Sequence, residues 1–166
     1  MKFFLIGLPG SGKTTLGKQL AEKLGIIFID LDAEIERLEK KTVREIFAEK
    51  KEGYFRQVES AILKKLCLDK TDFVLATGGG TPCFFTNMEE MNRSGKTIFL
   101  NVAIPEITNR LLKTNLTDRP LFGATNANEL KGKLEELLSK RIDFYNQAQV
   151  KFSSEKISVE EIIAAL

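Results

Sequence analysis

Five short apolar runs divide the chain: FFLIG at 3–7, IIFID at 26–30, FVLAT at 73–77, TIFLNV at 97–102 and VKFS at 150–153. They are apolar at consecutive rather than alternate positions, so strands made from them have two faces to bury. Helical patterns fill the gaps between them. Parallel strands need such long crossovers, and helices on both sides of a sheet cover both faces. The pattern predicts an α/β fold, a three-layer α/β/α sandwich around a five-stranded parallel sheet. At 166 residues, one domain spanning 1–166 accounts for the length.

The helices have legible ends. Leu16, Leu20 and Leu24 recur every fourth residue before Gly25, which predicts a helix over 13–24 that stops at the glycine. TVRE at 42–45 and SVEE at 158–161 are capping boxes, each opening a helical run. About 40 helical residues separate the second and third apolar runs, more than a crossover needs. This insertion, over 32–68, is expected to form a small helical lobe. KTNLTDRPLFGATNAN, 113–128, breaks a helical pattern with Pro, Gly, Thr and Asn, so a surface loop is expected there.

Composition removes several classes of function. Histidine is absent, which excludes Ser-His and Cys-His nucleophile pairs and imidazole metal ligands. Cys67 and Cys83 are too few for a disulfide framework and make a poor zinc site. A net charge of +2 with no basic stripe argues against nucleic acid. The charged run Glu34–Lys51 alternates in sign at helical spacing and reads as a solvated helix face. Phe3–Leu8 is too short for a secretory leader and no stretch nears membrane-spanning length, so a cytoplasmic protein is expected.

GLPGSGKT, 7–14, fits G-x-x-x-x-G-K-[ST] between a strand and a helix. In that context glycines let backbone N–H groups converge on phosphate oxygens, and the helix N-terminus adds positive partial charge. Lys13 would neutralise the β and γ phosphates and the Thr14 hydroxyl would ligate Mg²⁺. An acid at the end of another strand usually supports that metal, yet FVLAT runs into glycines. Only IIFID ends in acids, Asp30 and then Asp32. In an extended segment both point the same way, towards the sheet's C-terminal edge where open α/β folds bind ligands. Asp30 would then hold the metal's water shell and Asp32 would take a proton from, or orient, an attacking hydroxyl. The competing reading makes Asp32 a helix cap and Asp30 a solvated strand end.

Three more segments carry chemistry. TGGGTPC, 77–83, exposes the backbone of Gly78, Gly79 and Gly80 to close approach by a ligand, or else is a loose loop. YFRQVE sets Arg56 three residues before Glu59, which locally suggests only a surface pair. Arg119 in LTDRPLF could swing over a transferring phosphoryl group. Arg141 in SKRIDFY could serve a ligand, or merely the helix dipole.

In this order and spacing, GLPGSGKT, FIDLD, YFRQVE, TGGGTPC, DRPLF and KRIDFY resemble the shikimate kinases along essentially the whole chain. That resemblance implies a P-loop, nucleoside-monophosphate-kinase-like fold with a helical substrate-binding lobe and a mobile lid over 113–128. The implied activity is transfer of the ATP γ-phosphoryl group to the 3-hydroxyl of shikimate with Mg²⁺, by a monomer acting on two small molecules. Gly10, Ser11, Gly12, Lys13, Thr14 and Thr15 would hold the ATP phosphates, with Thr14 and Asp30 at the metal. Asp32 would contact the acceptor hydroxyls as candidate base. Arg56 and Arg141 would grip the acceptor carboxylate, Gly78–Gly80 would meet its ring, and Glu59 would hold Arg56. Phe47 and Phe55 resemble the family's apolar wall and Arg119 its lid arginine. The family often has paired basic residues before the lid, but here Arg110 precedes Leu111 and Leu112. Arg110 is therefore the candidate adenine contact, and Lys156 is the only basic residue in SSEKIS. The nearest rivals are a gluconate or nucleotide kinase of the same fold, and an ATP-binding switch lacking an acceptor.

Overall fold

The computed structural model describes residues 1–113 and 126–166. Five strands, β1 (Lys2–Ile6), β2 (Ile27–Asp30), β3 (Phe73–Ala76), β4 (Lys96–Val102) and β5 (Val150–Ser154), form one sheet in the order β2-β3-β1-β4-β5. All pairings are parallel. Helices α1 (Lys13–Leu24), α2 (Leu31–Glu39), α3 (Val43–Leu68), α4 (Asn87–Ser94), α5 (Ile104–Leu112), α6 (Ala127–Tyr145) and α7 (Val159–Ala164) make the crossovers and the C-terminal turn. This is the three-layer α/β/α sandwich that the apolar runs imply.

The alternation of β1 builds two cores. Phe4 and Ile6 enter one cluster with Leu31, Leu63, Met91 and Leu134, whereas Phe3 and Leu5 enter the other with Leu20 and Ile162. Helices therefore cover both faces. Phe4 and Phe73 meet edge-to-face at 5.7 Å, a geometry that contributes about 0.5–1.5 kcal/mol beyond burial. The two-sided burial expected of every strand holds for β1, β3 and β4 and fails at the sheet's edges. Ile27 in β2 is 51% exposed and β5 is largely solvent-facing, because an edge strand has a neighbour on one side only.

Register sets what meets at the C-terminal edge. Asp30 pairs with Ala76, and Leu5 also pairs with Ala76, so the ends of β2, β3 and β1 lie side by side. The loops that follow them therefore share one crevice. Both capping boxes form, on α3 at Thr42 and Glu45 and on α7 at Ser158 and Glu161. Gly25 closes α1 in the left-handed conformation at φ 66°. Helix α3 breaks at Lys51, where φ 68° and ψ 171° are not helical. Lys113 closes α5 and Asn126 caps α6. Arg119 lies outside the described residues, as does most of the loop expected over 113–128. Among the described residues no helix is long and apolar enough to cross a membrane.

Candidate active site

The cleft opens where β1 runs into α1. Gly10 and Gly12 take φ 82° and 96°, which lets the chain curl into the helix without a Cβ penalty. Lys13, 8% exposed, folds back to donate Nζ to the carbonyls of Gly7 and Leu8, each at 2.9 Å. The buried Ser11 hydroxyl has no hydrogen-bond partner among the described residues. Gly10–Thr15, Asp30, Asp32, Gly78, Gly79 and Arg110 all line one cleft of about 950 Å³. The glycine-lysine loop, both aspartates and the first two of the three glycines therefore face a common space.

The two aspartates do not share the extended segment that their spacing suggests. β2 ends at Asp30 and α2 begins at Leu31, so Asp32 sits in the first helical turn. The helix cap is Asp30, whose Oδ1 accepts from the backbone N–H groups of Asp32 at 3.1 Å and Ala33 at 3.4 Å. Its Oδ2 accepts from the Thr14 hydroxyl at 2.9 Å. Asp30 is thus an extended strand end but not a solvated one, and the capping role that the competing reading gave to Asp32 belongs to it. Asp32 is left to the cleft. Burial pushes its carboxyl up to about 6, with Glu59 and Asp30 adding to the rise and Lys13 and Arg56 opposing it.

Mg²⁺ fits the Thr14–Asp30 pair. A hydroxyl and a carboxylate oxygen at hydrogen-bonding distance on the loop's rim are hard donors, and Mg²⁺ in such sites takes few protein ligands and completes its shell with phosphates and water. Among the described residues no cluster of three or more acids or cysteines could hold a metal by itself.

The far end of the cleft is organised by the triple glycine. A Cβ at Gly78 would stand 3.1 Å from Glu59 Oε1 and 3.3 Å from Asp32 Oδ1. One at Gly79 would stand 3.0 Å from Arg141 Nη1, and one at Gly80 only 2.5 Å from Arg56 Nη2. Both guanidinium groups therefore reach the same three residues, although neither lines the open part of the cleft. Arg141 Nη1 is buried with no hydrogen-bond partner among the described residues.

Arg56 is not the surface pair its local spacing suggests. It is 5% exposed, Glu59 is 0% exposed, and Nη1 donates to Glu59 Oε2 at 2.8 Å. Its Nε and Nη2 donate to the exposed Glu52, each at 3.2 Å. The guanidinium also lies 4.3 Å from the centroid of the Phe84 ring, a cation–π contact. Glu59 Oε1 accepts from Thr81 at 2.6 Å, and Asn87 ties the Thr81 carbonyl to Ser60. Phe47 and Phe55 pack at 4.7 Å beside this network. At the other end Arg110 donates to Glu106 at 2.7 Å, to the Ser11 carbonyl and to the Glu155 carbonyl, bridging the phosphate loop and the segment after β5.

Sequence reasoning missed three residues. Thr81 follows the glycines directly, but nothing in its position announces a bond to Glu59. Tyr145, four residues after Arg141 and hence on its helix face, was the more legible of them. Arg44, an exposed cation on the cleft wall, had no signal beyond its capping-box neighbours.

Comparison with known proteins decides the family. The shikimate kinase family model matches residues 9–166. The chain belongs to the shikimate kinase family. A shikimate kinase of Azobacteroides pseudotrichonymphae is 44% identical over 99% of this chain and 96% of its own. The crystal structure of the shikimate kinase from Bacteroides thetaiotaomicron superposes with a TM-score of 0.90 at 41% identity, covering 99% of this chain and 95% of that one. The shikimate kinase from Acinetobacter baumannii, solved in complex with shikimate, does so with 0.87 at 32% identity, covering 99% and 89%. As a shikimate kinase family member the chain phosphorylates the 3-hydroxyl of shikimate with ATP, in chorismate and aromatic amino acid biosynthesis.

Proposed function

We propose that Asp32 receives the proton of the shikimate 3-hydroxyl as that oxygen attacks the ATP γ-phosphorus, forming the new P–O bond while the bond to the ADP oxygen breaks. What supports this reading above all is the place of Asp32, in the phosphate-loop cleft and beside Gly78 with Glu59. A carboxyl near 6 suits proton acceptance around neutrality.

Loop N–H groups from Gly10 to Thr15 cradle the phosphates and Lys13 leaves the Gly7 and Leu8 carbonyls to neutralise them. Thr14 and Asp30 would hold Mg²⁺, which when bound offsets charge on the phosphate oxygens. Arg110, braced between Ser11 and Glu155, forms the wall beside the adenine. Arg141 and Arg56 hold the shikimate carboxylate as a planar fork, Glu59 and Thr81 fix Arg56, and Gly78–Gly80 admit the ring. The chain works as a cytoplasmic, monomeric single domain whose helical lobe, over 32–68, carries the acceptor side.

The test is a coupled ADP-release assay with shikimate, gluconate and nucleoside monophosphates as acceptors. Turnover with shikimate alone is expected. Equal turnover with either rival would reject the assignment.

A further inference from the structure

We propose that Tyr145 is a positioning residue for the acceptor: its hydroxyl anchors the Gly79 carbonyl to α6 and so sets the triple glycine and Arg141 in one geometry. This rests on the reading in which Gly78–Gly80 and Arg141 face shikimate.

Tyr145 is the last residue of α6 and is 0% exposed. Its ring lies 4.9 Å from that of Phe99, a contact that phenylalanine would make equally well. Packing alone does not call for the oxygen. A buried phenol is costly without a partner, and this one donates to the Gly79 carbonyl at 2.6 Å, across 66 residues of sequence. Arg141 stands one helical turn earlier, on the same face of α6, and its Nη1 would be 3.0 Å from a Cβ at Gly79. One turn of α6 therefore meets the same glycine twice: Tyr145 bonds its carbonyl, and Arg141 Nη1 stands in the space a side chain at Gly79 would fill.

The peptide plane carries the consequence further. The Gly79 carbonyl and the Gly80 N–H belong to one rigid trans amide and point in opposite directions. With the carbonyl drawn to α6, the Gly80 N–H is turned away from that helix, and among the described residues it donates to none. Three consecutive glycines have the greatest backbone freedom of any such run, so this orientation needs an anchor. Tyr145 supplies it. Burial pushes its phenol well above the ordinary tyrosine value, partly opposed by the charge of Arg141, so the group stays a donor at every pH where the enzyme works.

The experiment uses Tyr145→Phe in the full chain. The shikimate KM is expected to rise about tenfold with kcat nearly unchanged, since pre-set donors hold ground state and transition state alike. The ATP KM should stay within twofold, and the defect should be flat from pH 6.5 to 9. Ile162→Val, in the core on the other face of the sheet, supplies a stability-matched control with wild-type KM values. An unchanged shikimate KM in Tyr145→Phe, with thermal stability lowered as in that control, leaves the hydroxyl merely structural and overturns the proposal. Should the variant not fold, 3-fluorotyrosine serves instead. The chain has two tyrosines, and Tyr54→Phe assigns their ¹⁹F lines. The Tyr145 line should move with shikimate and stay put with ADP; a line unmoved by saturating shikimate also overturns the assignment. Absence of shikimate-dependent ADP release by the wild type would instead sink the underlying reading, so the two failures are distinct.

Discussion

Asp30 accepts the backbone N–H of Asp32 at 3.1 Å, and that bond gives two carboxylates two residues apart opposite fates. One is spent on a helix start and on Thr14, the other is left crowded by Glu59 in the cleft. The relationship yields predictions for both stability and rate.

For Asp32, the folded carboxyl titrates near 6 and the unfolded one near 3.8. Between those values the folded state binds more protons, so stability falls as pH rises through the window and the ionised group destabilises the protein above it. Asp32→Asn should therefore stabilise the unliganded protein by on the order of 3 kcal/mol at pH 7.5 and by almost nothing at pH 3.5. Urea denaturation at the two pH values measures this. The same variant should lose roughly 10²-fold or more in turnover. Wild-type kcat/KM should fall on the acid side with an apparent pKa near 6. A variant that gains no stability at pH 7.5, or keeps full turnover, contradicts the assignment.

Arg56 and Glu59 form a buried pair in which Thr81 satisfies the second carboxylate oxygen. Arg56→Ala leaves the buried Glu59 without its cation and should cost about 3–5 kcal/mol. Adding Glu59→Ala should recover part of that loss, so the double variant costs less than the two singles together. A double-mutant cycle in urea reads the coupling; strict additivity would mean that the pair does not act as a unit.

Lys51 occupies φ 68° and ψ 171°, a region nearly reserved for glycine, in the middle of α3. On either side of the break Lys50 and Tyr54 reach Glu39 of α2, and further along the helix Leu63 and Cys67 enter the core cluster. Lys51→Gly should relieve the strain, for a net gain of about 1 kcal/mol once the greater freedom of glycine in the unfolded chain is subtracted. Chemical denaturation measures it. A loss of stability would show that the lysine side chain contributes more than its backbone costs.

The fold was legible because it rests on period and punctuation. Continuous apolar runs, leucines at four-residue spacing and two capping boxes are local signals, and parallel pairing is the one solution that buries them all. The site was legible in a different way. The phosphate loop is contiguous, so Lys13 and Thr14 could be read from spacing, whereas Arg56 looks like a surface residue until β3 delivers the triple glycine against it. Asp30 and Asp32 defeated the sequence by one residue: the chain leaves the strand for the helix at Leu31, and period-two reasoning fails across that junction. Tyr145 could be placed on the helix face of Arg141, but not its bond, because the partner is a backbone carbonyl 66 residues away. No local pattern encodes such a bond.

Gly80 offers the most selective test of the acceptor end. Its φ of −87° and ψ of −17° suit any residue, so alanine there introduces no backbone strain. The added methyl would nevertheless meet Arg56 Nη2 at 2.5 Å and Cζ at 2.9 Å. A guanidinium usually swings aside, but this one is held by Glu59 and Glu52 and stacked on Phe84. Gly80→Ala should therefore displace Arg56 from the acceptor carboxylate while leaving the phosphate loop untouched. The expected outcome is a shikimate KM raised tenfold or more, an ATP KM within twofold of wild type and a stability loss of about 1–2 kcal/mol from overpacking. Gly53→Ala is the matched control. It lies in α3 with nothing within 4 Å of its would-be Cβ, and it should stabilise by about 0.5–1 kcal/mol with both KM values unchanged. If Gly80→Ala instead weakens ATP and shikimate equally, the triple glycine serves the nucleotide as much as the acceptor, and Arg56 is not the residue it positions.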